Sequence, residues 1–215
     1  MTGPGQPPSY RAHPPGGAAG GSALIVIDMV NTYEYEDAEL LTPAAERVVP
    51  VLAGLIGRAR DAGVPVIYAN DNFGLWRSHH GELLEAALRR PHADLVEPIR
   101  PADDSLFVVK TRHSVFHDTP LSYLLWQLEV GTLVLTGQVT EQCVLYSALD
   151  AHIRHFEVTV PRDAVASIHP HLEAAALEMM ERNMGARIVA AGDVMFRGAR
   201  RPVPEGTRQR SGGGS

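Results

Sequence analysis

Short aliphatic runs separated by amphipathic stretches recur along this chain. Residues 23–27 (Ala-Leu-Ile-Val-Ile) are continuously apolar and end at Asp28, the pattern of a central parallel strand buried on both faces. Further runs at 64–69, 106–109, 132–135, 157–160 and 187–190 predict five more strands. Between them, apolar residues return at helical spacing. Val48, Leu52, Leu55, Ile56 and Ala59 mark a helix that Thr42 and Pro43 start and Gly63 ends, with Pro50 either kinking it or splitting it at Val49. A helix over 81–90 is stopped by Pro91, and a Pro-rich, acidic connection runs on through Asp104. Thr119 and Pro120 open another helix with Leu121, Leu124, Leu125 and Leu128 on one face. Residues 144–154 form the next, and 170–184 the last, with Leu172, Ala175, Ala176, Met179 and Met180 as its packing face and Gly185 as its stop. Six strands alternating with helices predict an α/β fold: a three-layer α/β/α sandwich around a mainly parallel, Rossmann-like, six-stranded sheet.

The two ends break this pattern. Residues 1–21 are rich in Gly and Pro and nearly free of aliphatic side chains, and residues 198–215 have the same character. Both are expected to be disordered tails around a single domain at 22–197. An overall 45% hydrophobic and 20% charged composition suits one substantial core. One cysteine, no secretory signal and no apolar run of spanning length point to a reducing cytoplasm and away from a membrane. A net charge of −6 with no basic block in the folded region argues against nucleic acid as a partner and favours a small molecule. No Gly-rich phosphate loop follows any strand, which sets aside a nucleotide-binding module.

Carboxyl ends of parallel strands lie on one edge of a sheet, where α/β folds place reactive groups. Three such ends carry Asp28, Lys110 and Cys143. Taken singly, each has a plain alternative: a helix cap, a solvent-facing cation, a small buried hydrophobe. Together they form a chemically complete set. A carboxylate can take the proton of a thiol, and an ammonium group stabilises thiolate and carboxylate alike. Thr140 as N-cap would make Cys143 the third helical position, beside the positive end of a helix dipole, which also favours thiolate. Backbone N–H groups between Gly137 and Cys143 can hold an oxyanion, and Gly137 permits the tight backbone this needs. The polar loop 70–80 suits a pocket or covers the surface. Asn31, Phe73, Trp76, Arg77, Phe116 and Tyr146 are candidate substrate-binding residues, with Arg77 fitted to a substrate carboxylate.

The segments Leu24-Ile25-Val26-Ile27-Asp28-Met29, Val108-Val109-Lys110-Thr111-Arg112-His113-Ser114-Val115-Phe116 and Gly137-Gln138-Val139-Thr140-Glu141-Gln142-Cys143-Val144 together resemble the isochorismatase-like cysteine hydrolases. Ala148, Asp150, Ala151 and the later Pro161-Arg162-Asp163-Ala164 extend the resemblance, which covers about residues 22–196. It implies that Asp28 is the general base, Lys110 the orienting cation and Cys143 the nucleophile. It also implies a cis peptide bond between Gln138 and Val139, which turns the amides of Val139 and Cys143 into an oxyanion hole. The implied reaction is hydrolysis of a C–N bond in a small amide or carbamoyl compound through a thioester, by a homo-oligomer. Members that cleave isochorismate lack the cysteine, so its presence argues for an amidase.

Two positions depart from the family pattern. Nicotinamidases of the family bind a metal through Asp-x-His and a later His, but Asp71 is followed by Asn72 and Phe73, and His79 and His80 do not restore the spacing. No catalytic metal and no cofactor are therefore expected. Val30 stands where many relatives carry glutamine, which reshapes the pocket without touching the triad. The other reading of the same fold is a catalytically silent binding or scaffolding protein.

Overall fold

The computed structural model describes residues 20–74, 80–102 and 105–198. Most of both expected tails, together with Trp76, Arg77 and His79, lies outside the described residues. Strand β1 (Gly21–Ile27) begins inside the expected N-terminal tail, because Gly21 already pairs with β4 (Val130–Gln138).

The remaining strands are β2 (Val66–Asp71), β3 (Leu106–Lys110), β5 (Glu157–Pro161), β6 (Val165–Ala166) and β7 (Arg187–Val189). They run β3-β2-β1-β4-β5-β7, every pairing is parallel, and β6 pairs β4 beyond the end of β5. The described sheet thus has seven strands where the sequence pattern predicts six. The extra one, β6, is two residues long and follows a turn closed by Ala164 N–H on Pro161 O. Two residues carry no readable alternation.

Side chains alternate across β1 and build two cores. Ala23, Ile25 and Ile27 face α4 (Leu121–Gln127), α5 (Leu145–Ile153) and α6 (Pro170–Met184), packing with Leu121, Leu125, Ala148, Ala151 and Met180. Leu24 and Val26 face α1 (Ala38–Asp61) on the other side, with Leu41, Val48, Leu52 and Leu55. This is the expected three-layer sandwich.

Helix α1 departs from the sequence reading twice. It starts at Ala38, not at Thr42, whose hydroxyl instead donates back to the Ala38 carbonyl at 2.7 Å. It also passes unbroken through Pro50. Pro50 is exposed, so the Glu46 carbonyl that loses its partner faces water, while Val48, Val49 and Leu52 hold the buried face against the sheet. By length and composition α1 could cross a membrane, contrary to the expectation that no stretch reaches that length. Half of its most apolar window is buried in this fold, and Arg58 in its last turn donates to the carbonyls of Ala191 and Val194 at 2.7 Å each. It is a core helix. The acidic connection after α2 (His80–Leu88) is also more ordered than predicted, forming α3 (Ala93–Val96) and a 3-10 turn (Glu97–Ile99) whose Ile99 carbonyl accepts the Tyr68 hydroxyl at 2.9 Å.

Candidate active site

Strands β1, β2, β3 and β4 are neighbours, so their carboxyl ends converge. Asp28 directly follows β1 and is 7% exposed. Its φ of 54° is left-handed, a conformation that Asp tolerates better than most residues. The Gln138 side chain holds the Asp28 carbonyl, donating to it at 2.8 Å. Gly137 makes this approach possible. Its φ is 101°, and a Cβ there would stand 2.2 Å from the Ile27 carbonyl oxygen, so no side chain fits.

Lys110 ends β3 with its side chain 1% exposed and its Nζ 2.8 Å from Asp28 Oδ2. The same nitrogen lies 3.6 Å from Cys143 Sγ, donates to the Arg112 carbonyl at 3.2 Å and stands 3.7 Å from Asp71 Oδ2. The other Asp28 oxygen accepts the Asp71 N–H at 2.7 Å. Asp28, Lys110 and Cys143 are therefore one buried cluster.

Cys143 lies in a π-helical turn, Thr140–Val144, that precedes α5. Val139 takes the N-cap position, and the buried Thr140 hydroxyl has no hydrogen-bond partner among the described residues, so the predicted threonine cap does not form. The Gln138–Val139 peptide bond is cis. Burial, with the Asp28 charge and hydrogen bond, outweighs Lys110 and the Val139 N–H and pushes the Cys143 thiol up to about 12. The resting sulfur is thus a thiol, where the sequence reading favours thiolate; a dipole and an ammonium group do not offset desolvation beside a carboxylate. Burial also raises Asp28 above the usual carboxylate range despite Lys110. Burial works against the Lys110 charge, but the Asp28 carboxylate and, in smaller part, Asp71 reverse it and keep the ammonium form favoured.

An isochorismatase domain matches residues 22–193 of this sequence. The chain belongs to the isochorismatase family. An uncharacterized isochorismatase family protein of Bacillus subtilis is 34% identical over 173 residues, spanning 80% of this chain and 96% of that protein. A maleamate amidohydrolase of Pseudomonas putida is 31% identical over 159 residues, 69% of this chain and 75% of its own. The crystal structure of N-carbamoylsarcosine amidase from Thermoplasma acidophilum superposes with a TM-score of 0.64 at 28% identity, covering 81% of this chain and 98% of that one. Two of these isochorismatase-family relatives carry the names of amidohydrolases that act on non-peptide C–N bonds.

The pocket candidates divide in this isochorismatase-family site. Phe73 is 44% exposed, with its N–H on Asp71 Oδ1 at 2.8 Å. Tyr146 is equally exposed at the start of α5. Asn31 is buried, its Oδ1 accepting the Tyr33 N–H at 2.8 Å. Phe116 is no pocket wall: it is 4% exposed, stacked on Phe156 at 5.9 Å with the Arg154 guanidinium over its ring at 4.9 Å. Its place in a strand-end motif hides that it faces the helical layer. Among the described residues, no three His, Cys, Asp or Glu side chains are grouped to hold a metal ion.

Three further groups, to which the sequence reading gave no catalytic role, accompany the cluster. Asp71 enters the cluster because it pairs in register with Lys110 across β2 and β3, which no local pattern reveals. The Tyr35 hydroxyl is pushed up to about 12 by burial and, in smaller part, by the charges of Asp28 and Asp37. His113 brings Nδ1 to 3.7 Å from Cys143 Sγ. Its only signal was its place three residues after Lys110.

Proposed function

We propose that this protein is a cysteine amidohydrolase that cleaves the C–N bond of a small amide or carbamoyl compound through a thioester. The observation that carries this reading is a single buried nitrogen, Lys110 Nζ, reaching Asp28 at 2.8 Å and Cys143 Sγ at 3.6 Å. The names of the amidohydrolase relatives support it.

Asp28 is the base. Its raised pKa brings it nearer that of the thiol, which eases proton transfer at the moment of attack. Lys110 holds the carboxylate and lowers the cost of negative charge on sulfur. Attack by Sγ on the carbonyl carbon places negative charge on the carbonyl oxygen, and the N–H groups of Val139 and Cys143 receive it. The proton taken by Asp28 then passes to the leaving nitrogen as the C–N bond breaks. A low resting thiolate population suits this sequence, because sulfur becomes nucleophilic only when a carbonyl is in place. A free thiol nucleophile suits a reducing cytoplasm.

Screening small amides and carbamoyl compounds for ammonia release identifies the substrate. Against the responsive compound, Cys143→Ala is expected to lose at least about 10⁴-fold in kcat with the fold intact. A variant that keeps turning over refutes the mechanism. If no compound responds and none acylates Cys143, the silent binding protein is the better reading.

A further inference from the structure

Asp28 is held from several sides. Its N–H donates to the Ala69 carbonyl at 3.0 Å, one carboxylate oxygen accepts the Asp71 N–H at 2.7 Å, and the other meets Lys110 Nζ at 2.8 Å. Its own carbonyl accepts from Gln138 Nε2 at 2.8 Å. Gln138 is fully buried in β4, and its Oε1 accepts the hydroxyl of the buried Tyr33 at 3.3 Å. This pairing fixes the orientation of the amide, because a flipped amide would set its oxygen against the Asp28 carbonyl. Tyr33 is fixed in turn by Asn31 Oδ1, which accepts its N–H at 2.8 Å, and by the edge-on His92 ring at 5.8 Å.

A buried amide is costly unless both of its ends are paired, and an apolar side chain would fill the same space in β4. What the amide adds is control of the base. The left-handed φ of Asp28, 54°, directs its carboxylate to Lys110 and is disfavoured for a residue with a Cβ. Released from Gln138, the Asp28 backbone is free to relax toward an ordinary φ, and the carboxylate turns with it. Asn70 secures the following turn separately, its Oδ1 accepting the Val30 N–H at 2.9 Å and its Nδ2 donating to the Val30 carbonyl at 3.0 Å, so the loop survives that release. We propose that Gln138, braced by Tyr33, is a positioning residue for the Asp28 base; the assignment rests on the thioester reading above.

With p-nitrophenyl acetate as probe, this role separates from a merely structural one. The p-nitrophenolate burst gives the rate of acetylation, and intact mass counts the acetyl groups, with Cys143→Ala as the reference for labelling elsewhere. Gln138→Met keeps the volume and removes the amide. Near pH 7 it is expected to acetylate Cys143 about 30-fold more slowly than the unsubstituted protein while still reaching one acetyl per chain. Toward pH 10, hydroxide ion increasingly takes the thiol proton and the position of Asp28 matters less, so the deficit should shrink below about fivefold. Lys110, Asp71, His113 and Tyr35 flank Asp28 and Cys143 in both proteins, so their titration cancels in the ratio. Tyr33→Phe leaves the amide in place but unbraced; it should follow the same trend from a loss of about fivefold, and it decides alone if Gln138→Met does not fold. A deficit under about twofold near pH 7, or one that stays constant up to pH 10, overturns the proposal. If the unsubstituted protein carries no more acetyl than Cys143→Ala, the thioester reading fails, and the role of Gln138 fails with it.

Discussion

The two edges of one sheet handle charge in opposite ways. At the carboxyl edge, Lys110 and Asp28 meet at 2.8 Å with side chains 1% and 10% exposed. At the amino edge, Arg197 and Glu157 stand 3.9 Å apart with side chains 58% and 47% exposed, beside a cleft of about 450 Å³ that Ser22, Thr132 and Arg187 also line. A solvated pair of the second kind contributes about 0–1 kcal/mol. A buried pair brings no reliable gain over apolar packing, yet removing one partner costs about 3–5 kcal/mol because the other charge is stranded. Concentrating charge at the carboxyl edge therefore works against stability, a cost that the proposed chemistry explains.

The backbone repeats the contrast, and the largest expected effect tests it. Gly137→Ala would drive a methyl group into the Ile27 carbonyl and should cost at least about 4 kcal/mol in urea unfolding, if the chain folds at all. At Gly54, inside α1, a Cβ meets nothing within 4 Å, and the same substitution should stabilise by about 0.5–1 kcal/mol. Similar losses at both positions would show that backbone constraint is not concentrated at the carboxyl edge.

Charge comes next in size. Lys110→Ala should lose about 3–5 kcal/mol by stranding Asp28, together with turnover. Glu157→Gln at the amino edge should stay within about 0.5 kcal/mol and leave turnover unchanged. Thermal or urea unfolding of the pair of variants measures the difference directly, and equal losses would erase the distinction.

The thiol supplies a smaller, pH-dependent test. Cys143 is raised from 9.0 to about 12, so the folded state holds this proton longer than the unfolded chain does. Its contribution to stability is fully present below about pH 9 and falls as pH climbs toward 12, by about 1 kcal/mol per pH unit. Cys143→Ala should therefore lose less stability than the unsubstituted protein between pH 9 and 11. Parallel losses would place the sulfur in an ordinary environment.

Much of this was legible in the sequence for a local reason. Continuous aliphatic runs identify strands buried on both faces, and the first polar or reactive residue after such a run stands at a strand end. Asp28 and Lys110 could be named in that way, Cys143 as the single cysteine in the turn after the fourth run, and the alternation of strands with helices implied parallel pairing that puts all three on one edge. Phe116 shows the limit: the motif marks its place in the chain, but only packing against Phe156 and Arg154 decides which way it points. Pro50 shows another, because its tolerance in α1 depends on which face of the helix meets water.

What the sequence determined by itself was the order of elements and the three reactive groups at strand ends, since both follow from contacts within a few residues. The tertiary structure alone decided the neighbours. The order β3-β2-β1-β4 brings the three groups together, the register of β2 on β3 adds Asp71, and the loop after Lys110 carries His113 back to the sulfur. These contacts join residues 30 or more positions apart, and their geometry is set by pairing and packing across the sheet, which local periodicity does not encode.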